Sequence, residues 1–544
     1  MLRSFLRSTR RALHFDPRWT HLRATAVSMA TVLGVYGLAL LVEHEAGLHV
    51  DSVVQAVVIA SALGRVQRLF DRTDRLLACV VLPCAAAAGT ELSTLIDRHH
   101  LVGDTAFVLG VAGAIWVRRF GARATRAGTL VVLPLIAVLV VPAGAVPPAG
   151  HEHTAWAAVT ALGAVAWGTA VTWAAQRTGL APRPPSAKVT TTPRAPRRGP
   201  AASTRMAVQM AAALTAAFAV GRHQWPDHWA WVVLTAFLVC SGARSRGDVL
   251  VKGAWRTLGA AAGTVVATAV SGQFGPRSDT AVVVIFAVLA VATWLRELSY
   301  AYWAACVTAV LSLLYDWFGQ SPGDLLHTRL AGIAVGAVLG VAASWLVLPI
   351  RTEAVVRART AAALAGLGEL METDWRDGPA VRMARDRFAY RVEQLATVTA
   401  PMRILAAVPV PRALSARWHP DSSTLRSVTA LRRCADPVDD LAGAVGAAPG
   451  ALTADPAVTR GREELAAHAL AVRRAIGRRP APPAPAGPAA LDRARTPGPA
   501  APPDRSVPPA LAALTAIDRQ LDVLGSLFGP PPVRTPDPAT IATR

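Results

Sequence analysis

Four cations fall between Gly242 and Arg256, namely Arg244, Arg246, Lys252 and Arg256, against one acid, Asp248. Trp229–Cys240, just before them, is apolar and uncharged; from Leu258 onward the residues are small and apolar, with Gly259 and Gly263 four apart. The chemistry open to such a stretch is anion reception. A helix N-terminus carries about half a positive charge and favours anions. If a helix opens near Gly259, Arg256 and the dipole act on the same ligand. Orientation of the chain in a bilayer is the competing role for these cations. Close helix packing competes with a pathway role for Gly259 and Gly263.

Two carboxylates fall near the ends of apolar runs: Glu91 in the outer third of one and Asp104 just inside the next. An ionisable group at membrane depth is a functional candidate, here a proton carrier, although both sit close enough to the edge to stay hydrated. The His99–His100 and His151–His153 clusters lack further ligands at metal-site spacing, and no pair of the five cysteines has such spacing. The Gly-x4-Gly-Lys-Ser/Thr loop, the nucleophile elbow and the HExxH pattern are all absent. The sequence therefore predicts no enzyme, no cofactor and no metal.

The elements that position these residues follow from composition. The 544 residues are 53% hydrophobic and only 17% charged, with mean hydropathy +0.36, which argues against a soluble globule. The net charge of +21 could mean nucleic acid. Its distribution says otherwise, because the excess falls between apolar runs. Ala24–Val42 has membrane length, since a span needs ~20 residues at ~1.5 Å rise. Further runs follow at Ser52–Gly64, Leu76–Ile96, Leu101–Val117, Ala127–Ala145 and Thr154–Ala175. A second set comprises Met206–Val220, Trp229–Cys240, Leu258–Ser271, Ala281–Leu295, Tyr300–Leu314 and Leu330–Leu348. Basic and non-basic connections alternate. The segments assigned to the inside hold 26 Lys or Arg and those assigned to the outside hold four, Arg329 among them. This predicts about 12 transmembrane helices with both termini cytoplasmic, in the plasma membrane.

The two sets look repeated. AVSMA at Ala26–Ala30 matches AVQMA at Ala207–Ala211, and AAAGT occurs at both Ala86–Thr90 and Ala260–Thr264. Six spans per half is an even number, so the halves share one orientation and form parallel repeats. The second run of each half is short, which points to a transport site there. The expected architecture is all-α. A basic N-terminus (1–23) precedes the first six-helix repeat (24–175), and a basic Pro-rich linker (176–205) leads to the second (206–350). A cytoplasmic helical domain (351–478), a disordered Pro/Ala-rich segment (479–507), an amphipathic helix (508–528) and a tail (529–544) complete the chain.

Three motifs resemble the fusaric acid resistance / aromatic acid exporter family and, more distantly, the plant aluminium-activated malate transporters. One is Trp229 opening a short span, followed by the basic loop and Arg256-x-x-Gly259-x-x-x-Gly263. The second is the aromatic-started run Tyr300–Leu314. The third is Arg329-x-x-Gly332-x-x-x-Gly336-x-x-x-Gly340, running to Pro349. Where the family often has Thr after the first glycine, Ala260 stands here, and Thr264 follows the second. The resemblance implies a lipid-embedded transporter exporting organic anions, often aromatic carboxylates, with a cytoplasmic helical domain. Candidate substrate-binding residues are Trp229, Arg244, Lys252, Arg256, Gly259 and Gly263; Glu91 and Asp104 are the candidates for proton coupling. A passive anion channel and a scaffold that recruits partners through its cytoplasmic helices are the alternatives. A homo-oligomer is compatible with the sequence, and no nucleic-acid partner is expected.

Overall fold

The computed structural model describes residues 19–46, 50–67, 70–140, 151–180, 201–243, 245–270, 274–296, 298–319, 322–348, 352–406, 422–477 and 507–528. Most of the linker at 176–205, the segment at 479–507 and the tail lie outside the described residues, as does Arg244. The chain divides into two compact units, Met1–Ile350 and Arg351–Arg544. Among the described residues both are helical, without strands.

The first unit holds α1 (Thr20–Ala46), α2 (Val50–Val66), α3 (Arg72–Arg98), α4 (His100–Trp116), α5 (Ala122–Val138) and α6 (His151–Arg177). It continues with α7 (Ala202–Gln224), α8 (Trp229–Cys240), α9 (Arg246–Val270), α10 (Asp279–Leu295), α11 (Tyr300–Trp317) and α12 (Pro322–Leu346). Six helical segments are long and apolar enough to cross a membrane: Thr20–Ala46, Arg72–Arg98, His100–Phe120, His153–Arg177, Ala202–Gln224 and His327–Leu346. Ser52–Gly64, Trp229–Cys240 and Asp279–Leu295 are shorter apolar helices. Local chemistry sets the boundaries. At α3, the Asp71 carboxylate accepts from the Asp74 N–H at 2.7 Å while the Asp71 N–H donates to Asp74 at 3.1 Å, a reciprocal cap. At α11, the Ser299 hydroxyl accepts from the Ala301 N–H. At the end of α12, the Gln209 amide of α7 donates to the carbonyls of Val347 (2.9 Å) and Leu348 (3.2 Å), groups a helix terminus leaves without partners.

Packing within the first unit has an internal correspondence. In the first six helices, α1 packs on α2 and α6, α6 also packs on α2 and α3, and α5 packs on α3 and α4. Adding six to every number gives pairs that also pack: α7 on α8 and α12, α12 on α8 and α9, α11 on α9 and α10. The halves meet in the same reciprocal way, α4 against α7 and α10 against α1. Phe107 and Phe286 are each the eighth residue of a 17-residue helix, α4 and α10. Phe107 meets Phe218 of α7 at 5.6 Å between ring centroids, and Phe286 meets Tyr36 of α1 at 4.8 Å. Edge-to-face pairs of this kind are favoured by the ring quadrupoles.

The second unit comprises α13 (Thr352–Glu372), α14 (Gly378–Ala406), α15 (Ser422–Arg433), α16 (Ala435–Ala447), α17 (Pro449–Ala454), α18 (Pro456–Ile476) and α19 (Val507–Phe528). The apolar stripe Val381, Ala384, Phe388, Val392 and Leu395 of α14 is buried in one core with Trp375, Leu465, Leu514, Leu521 and Leu524. The last helix, α19, is thus part of this core, packed on α15, α16 and α18. His468 of α18 holds it through Asp518 (Nδ1 to Oδ1, 2.7 Å). The nearby Asp522 carboxyl is pushed above the usual range by burial and by the charge of Asp518. Burial pushes the Cys434 thiol up to about 12.

Candidate functional site

The R-x-x-G-x-x-x-G spacing occurs twice, at Arg256 and at Arg329. Residues i, i+3 and i+7 share a helix face, so each arginine lies on the face that its glycines press against a neighbour. Gly259 and Gly263 of α9 abut Ala301, Ala304 and Ala305 of α11, and a Cβ at Gly259 would stand 2.6 Å from the Ala301 carbonyl oxygen. Gly332 and Gly336 of α12 abut Trp231, Val232 and Thr235 of α8. Close helix contact on those faces draws both arginines out of water: Arg256 is 1% exposed and Arg329 6%.

They converge. One small cavity is lined by Trp231, Thr235, Arg256, Thr308, Arg329 and Ile333, among others. Arg256 Nη1 donates to Thr308 Oγ1 at 3.2 Å, and Arg329 Nη1 donates to Ser312 Oγ. Each hydroxyl spends its own proton on its helix, Thr308 on the Ala304 carbonyl at 2.8 Å and Ser312 on the Thr308 carbonyl at 2.9 Å. Both therefore present lone pairs to the guanidiniums. The Arg329 guanidinium also stacks on Trp231 (4.7 Å) and Tyr315 (5.2 Å). Among the described residues, the Nε groups of both arginines and the buried Thr235 hydroxyl have no hydrogen-bond partner. Among the described residues, no carboxylate forms an ion pair with either arginine.

Two buried cations with surplus N–H donors and no counter-charge among the described residues are electrostatically incomplete. An uncompensated buried charge costs several kcal/mol, and each guanidinium offers five N–H groups in a fork that matches a carboxylate. The arrangement can therefore take an anion. The cavity between them is about 10 Å³, room for roughly one water. Residues 210–343, which contain Thr235, Arg256, Thr308 and Arg329, match the family model described as fusaric acid resistance protein-like. That stretch of the chain is similar to fusaric acid resistance proteins. That similarity points to a membrane transporter, and together with the apolar helices it supports a multi-pass membrane protein. No curated protein matches the chain.

The other sequence candidates fall around this centre. Arg256 is not at a helix start. Helix α9 begins at Arg246, ten residues or about 15 Å earlier, and Val249, Val251 and Gly253 are already buried there. The dipole therefore adds little at Arg256, and burial is what concentrates its charge. Lys252 donates to the Ser241 carbonyl at 2.5 Å and lies 5.4 Å from the Tyr300 ring centroid, outside the cavity. Trp229 is buried at the start of α8, its ring 5.3 Å from Phe218 and 4.5 Å below the Arg222 guanidinium. Gly259 and Gly263 set the α9–α11 approach. Glu91 accepts from the Thr154 hydroxyl of α6 at 2.6 Å at the exposed end of α3.

Asp104 joins the two halves. Arg222 of α7 donates to it from Nε at 2.6 Å and from Nη2 at 2.7 Å. Planar two-point pairing of this kind is the strong form of an ion pair. In a double-mutant cycle, Asp104→Asn and Arg222→Gln should each destabilise the detergent-solubilised protein. The pair together should lose less than the two singles added, by about 1–3 kcal/mol. Strict additivity of the melting shifts would show that the clasp contributes nothing.

The arginines of the matched region, 210–343, have no counterpart in the first half. Aligning the two AAAGT segments sets Arg256 opposite Leu82, and aligning the starts of α5 and α11 sets Thr308 opposite Leu130. Both leucines are buried in the core of the first half. Arg329, Thr235, Thr308 and Ser312 were not among the sequence-derived site residues. The repeated R-x-x-G-x-x-x-G spacing was the signal that could have found Arg329. The hydroxyls had none, since Ser and Thr in apolar helices commonly bond their own i−4 carbonyls.

Proposed function

We propose that the chain exports organic anions, aromatic carboxylates foremost, across the plasma membrane. In this reading all twelve helices of the first unit cross the bilayer as two parallel six-helix repeats, with the termini and the second unit in the cytoplasm. The observation that carries the proposal is the Arg256–Arg329 pair, buried together with no carboxylate paired to either among the described residues. Arg256, Arg329, Thr235 and Thr308 all lie inside their helices rather than at the ends, which supports a site within the membrane-spanning region. Cytoplasmic cations, Lys252 and Arg244 among them, gather the anion at the inner mouth. The anion then replaces hydroxyls and water on the two guanidiniums. The planar faces of Trp231 and Tyr315 beside Arg329 suit an aromatic acid. The matching packing of the halves supports rocking about their shared interface as the means of alternating access. If export is proton-coupled, Glu91 is the favoured carrier, because Asp104 is engaged as a clasp.

The test is flux from proteoliposomes holding the full chain, run against a panel of benzoate-like acids, aliphatic dicarboxylates and organic cations. Saturable transport of the carboxylates and none of the cations is expected. Equal movement of cations and anions would refute an arginine-centred pathway. Large electrical currents without any gradient of protons would mark a channel instead of a carrier.

A further inference from the structure

We propose that a groove between α3 and α6 binds one anionic phospholipid, its phosphate on Arg72 and Arg75 and an acyl chain along the wall beyond them. This site lies in the first half, apart from the arginine pair, and does not depend on what the protein transports. Arg72, Arg75, Leu76 and Cys79 fall at i, i+3, i+4 and i+7 of α3 and so form one stripe along the helix, cationic at one end and apolar at the other. Val165, Ala166 and Thr169 of α6 close the other side. The groove they enclose has a volume of about 410 Å³, within the roughly 300–1,000 Å³ of small-ligand sites, and it opens outward. Leu76 and Val80 are exposed on an apolar helix of membrane length, as a lipid-facing surface requires.

The charge at the rim is available. Asp71 is turned onto the α3 N-terminus as its cap, and the buried Asp74 carboxylate is paired with Arg126 of α5. Neither Arg72 nor Arg75 has an ion pair among the described residues. The Thr169 hydroxyl donates to the Val165 carbonyl at 2.7 Å and accepts from Gln67 at 3.3 Å, which leaves the arginines as the headgroup contacts. One turn further along α6, Trp173 carries Arg177 over its ring at 4.1 Å, an aromatic–basic pair of the type that marks the membrane–water boundary. A cationic rim at that boundary above an apolar trough has the outline of an anionic lipid. Basic pockets between cytoplasmic helix ends are known to take such headgroups.

The experiment uses the full chain, delipidated in detergent and supplied with phosphatidylglycerol, phosphatidylcholine or inorganic phosphate. Native mass spectrometry counts retained lipid, and maleimide labelling with peptide mapping reads Cys79 against Cys84, an exposed thiol of the same helix outside the groove. One phosphatidylglycerol should be retained in preference to phosphatidylcholine, and it should slow labelling of Cys79 but not of Cys84. Arg72→Gln with Arg75→Gln should weaken phosphatidylglycerol retention about tenfold or more. Equal retention of the two lipids overturns the proposal. So does protection of Cys79 by inorganic phosphate alone, which would mean a free-anion site. Should the double variant fail to fold, the wild-type comparison of Cys79 with Cys84 decides.

Discussion

Arg256→Met should abolish anion flux and leave the protein as stable as the wild type or more so. The two halves of that expectation have one cause. Arg256 is 1% exposed and donates to the Thr308 hydroxyl at 3.2 Å; among the described residues its Nε has no partner and no carboxylate pairs with it. In the empty protein this charge is a net expense. Replacing buried ionic groups with apolar ones of similar volume is often neutral, or stabilising by about 1–4 kcal/mol. With an anion bound, the same charge is paired across a dry site, and losing one partner there costs about 2–5 kcal/mol. That is roughly 30-fold or more in affinity. Flux from proteoliposomes and melting in detergent, measured on one preparation, read both halves.

The paired readout separates a substrate-binding cation from a structural one. A structural arginine would lower the melting temperature on substitution and leave flux per folded molecule intact, and that result would remove Arg256 from the pathway. Arg329→Met should also stop flux, with less gain in stability. It forfeits stacking on Trp231 and Tyr315, each contact worth about 0.5–2 kcal/mol. Arg256→Lys should recover part of the flux at most, because an ammonium keeps the charge and loses the planar fork. A transported carboxylate should raise the melting temperature of the wild type and not of Arg256→Met, since a ligand stabilises only a state that binds it.

The positions of the helices were largely legible in the sequence, and the burial of the two arginines was not. Trp229–Cys240 has the same bounds as an apolar run and as α8, because a Gly-containing basic loop ends it abruptly. Helix α9 starts at Arg246 where hydropathy placed a run from Leu258. Hydropathy averages a cation into the loop even when the helix continues beneath it. The same averaging assigned Arg329 to an outer connection, although it is 6% exposed inside α12. Charge statistics orient a chain by where arginines are common, and the informative ones here are those that break the pattern. The clasp between Asp104 and Arg222 was illegible for another reason. Its partners are 118 residues apart, on helices that meet only because the halves pack against each other.

Gly263→Ala should be among the most damaging single-methyl changes in the first unit. A Cβ at Gly263 would overlap the Ala305 carbonyl oxygen and stand 2.9 Å from the Ala305 carbonyl carbon. Both atoms are helix backbone, so no rotamer change relieves the clash, and α9 must move off α11. Overpacking typically costs about 1–3 kcal/mol, and more where the obstacle cannot yield. The movement also separates Arg256 of α9 from Thr308 of α11, so flux per folded molecule should fall along with stability. Gly37→Ala in α1 is the control, because nothing lies within 4 Å of its added Cβ. There the better helix propensity of alanine, about 1 kcal/mol, should leave the protein unharmed or slightly firmer. If the two variants melt alike, the α9–α11 approach does not depend on bare backbone at Gly263. The distance that brings Arg256 to Thr308 would then have to be set by the side chains lining the cavity.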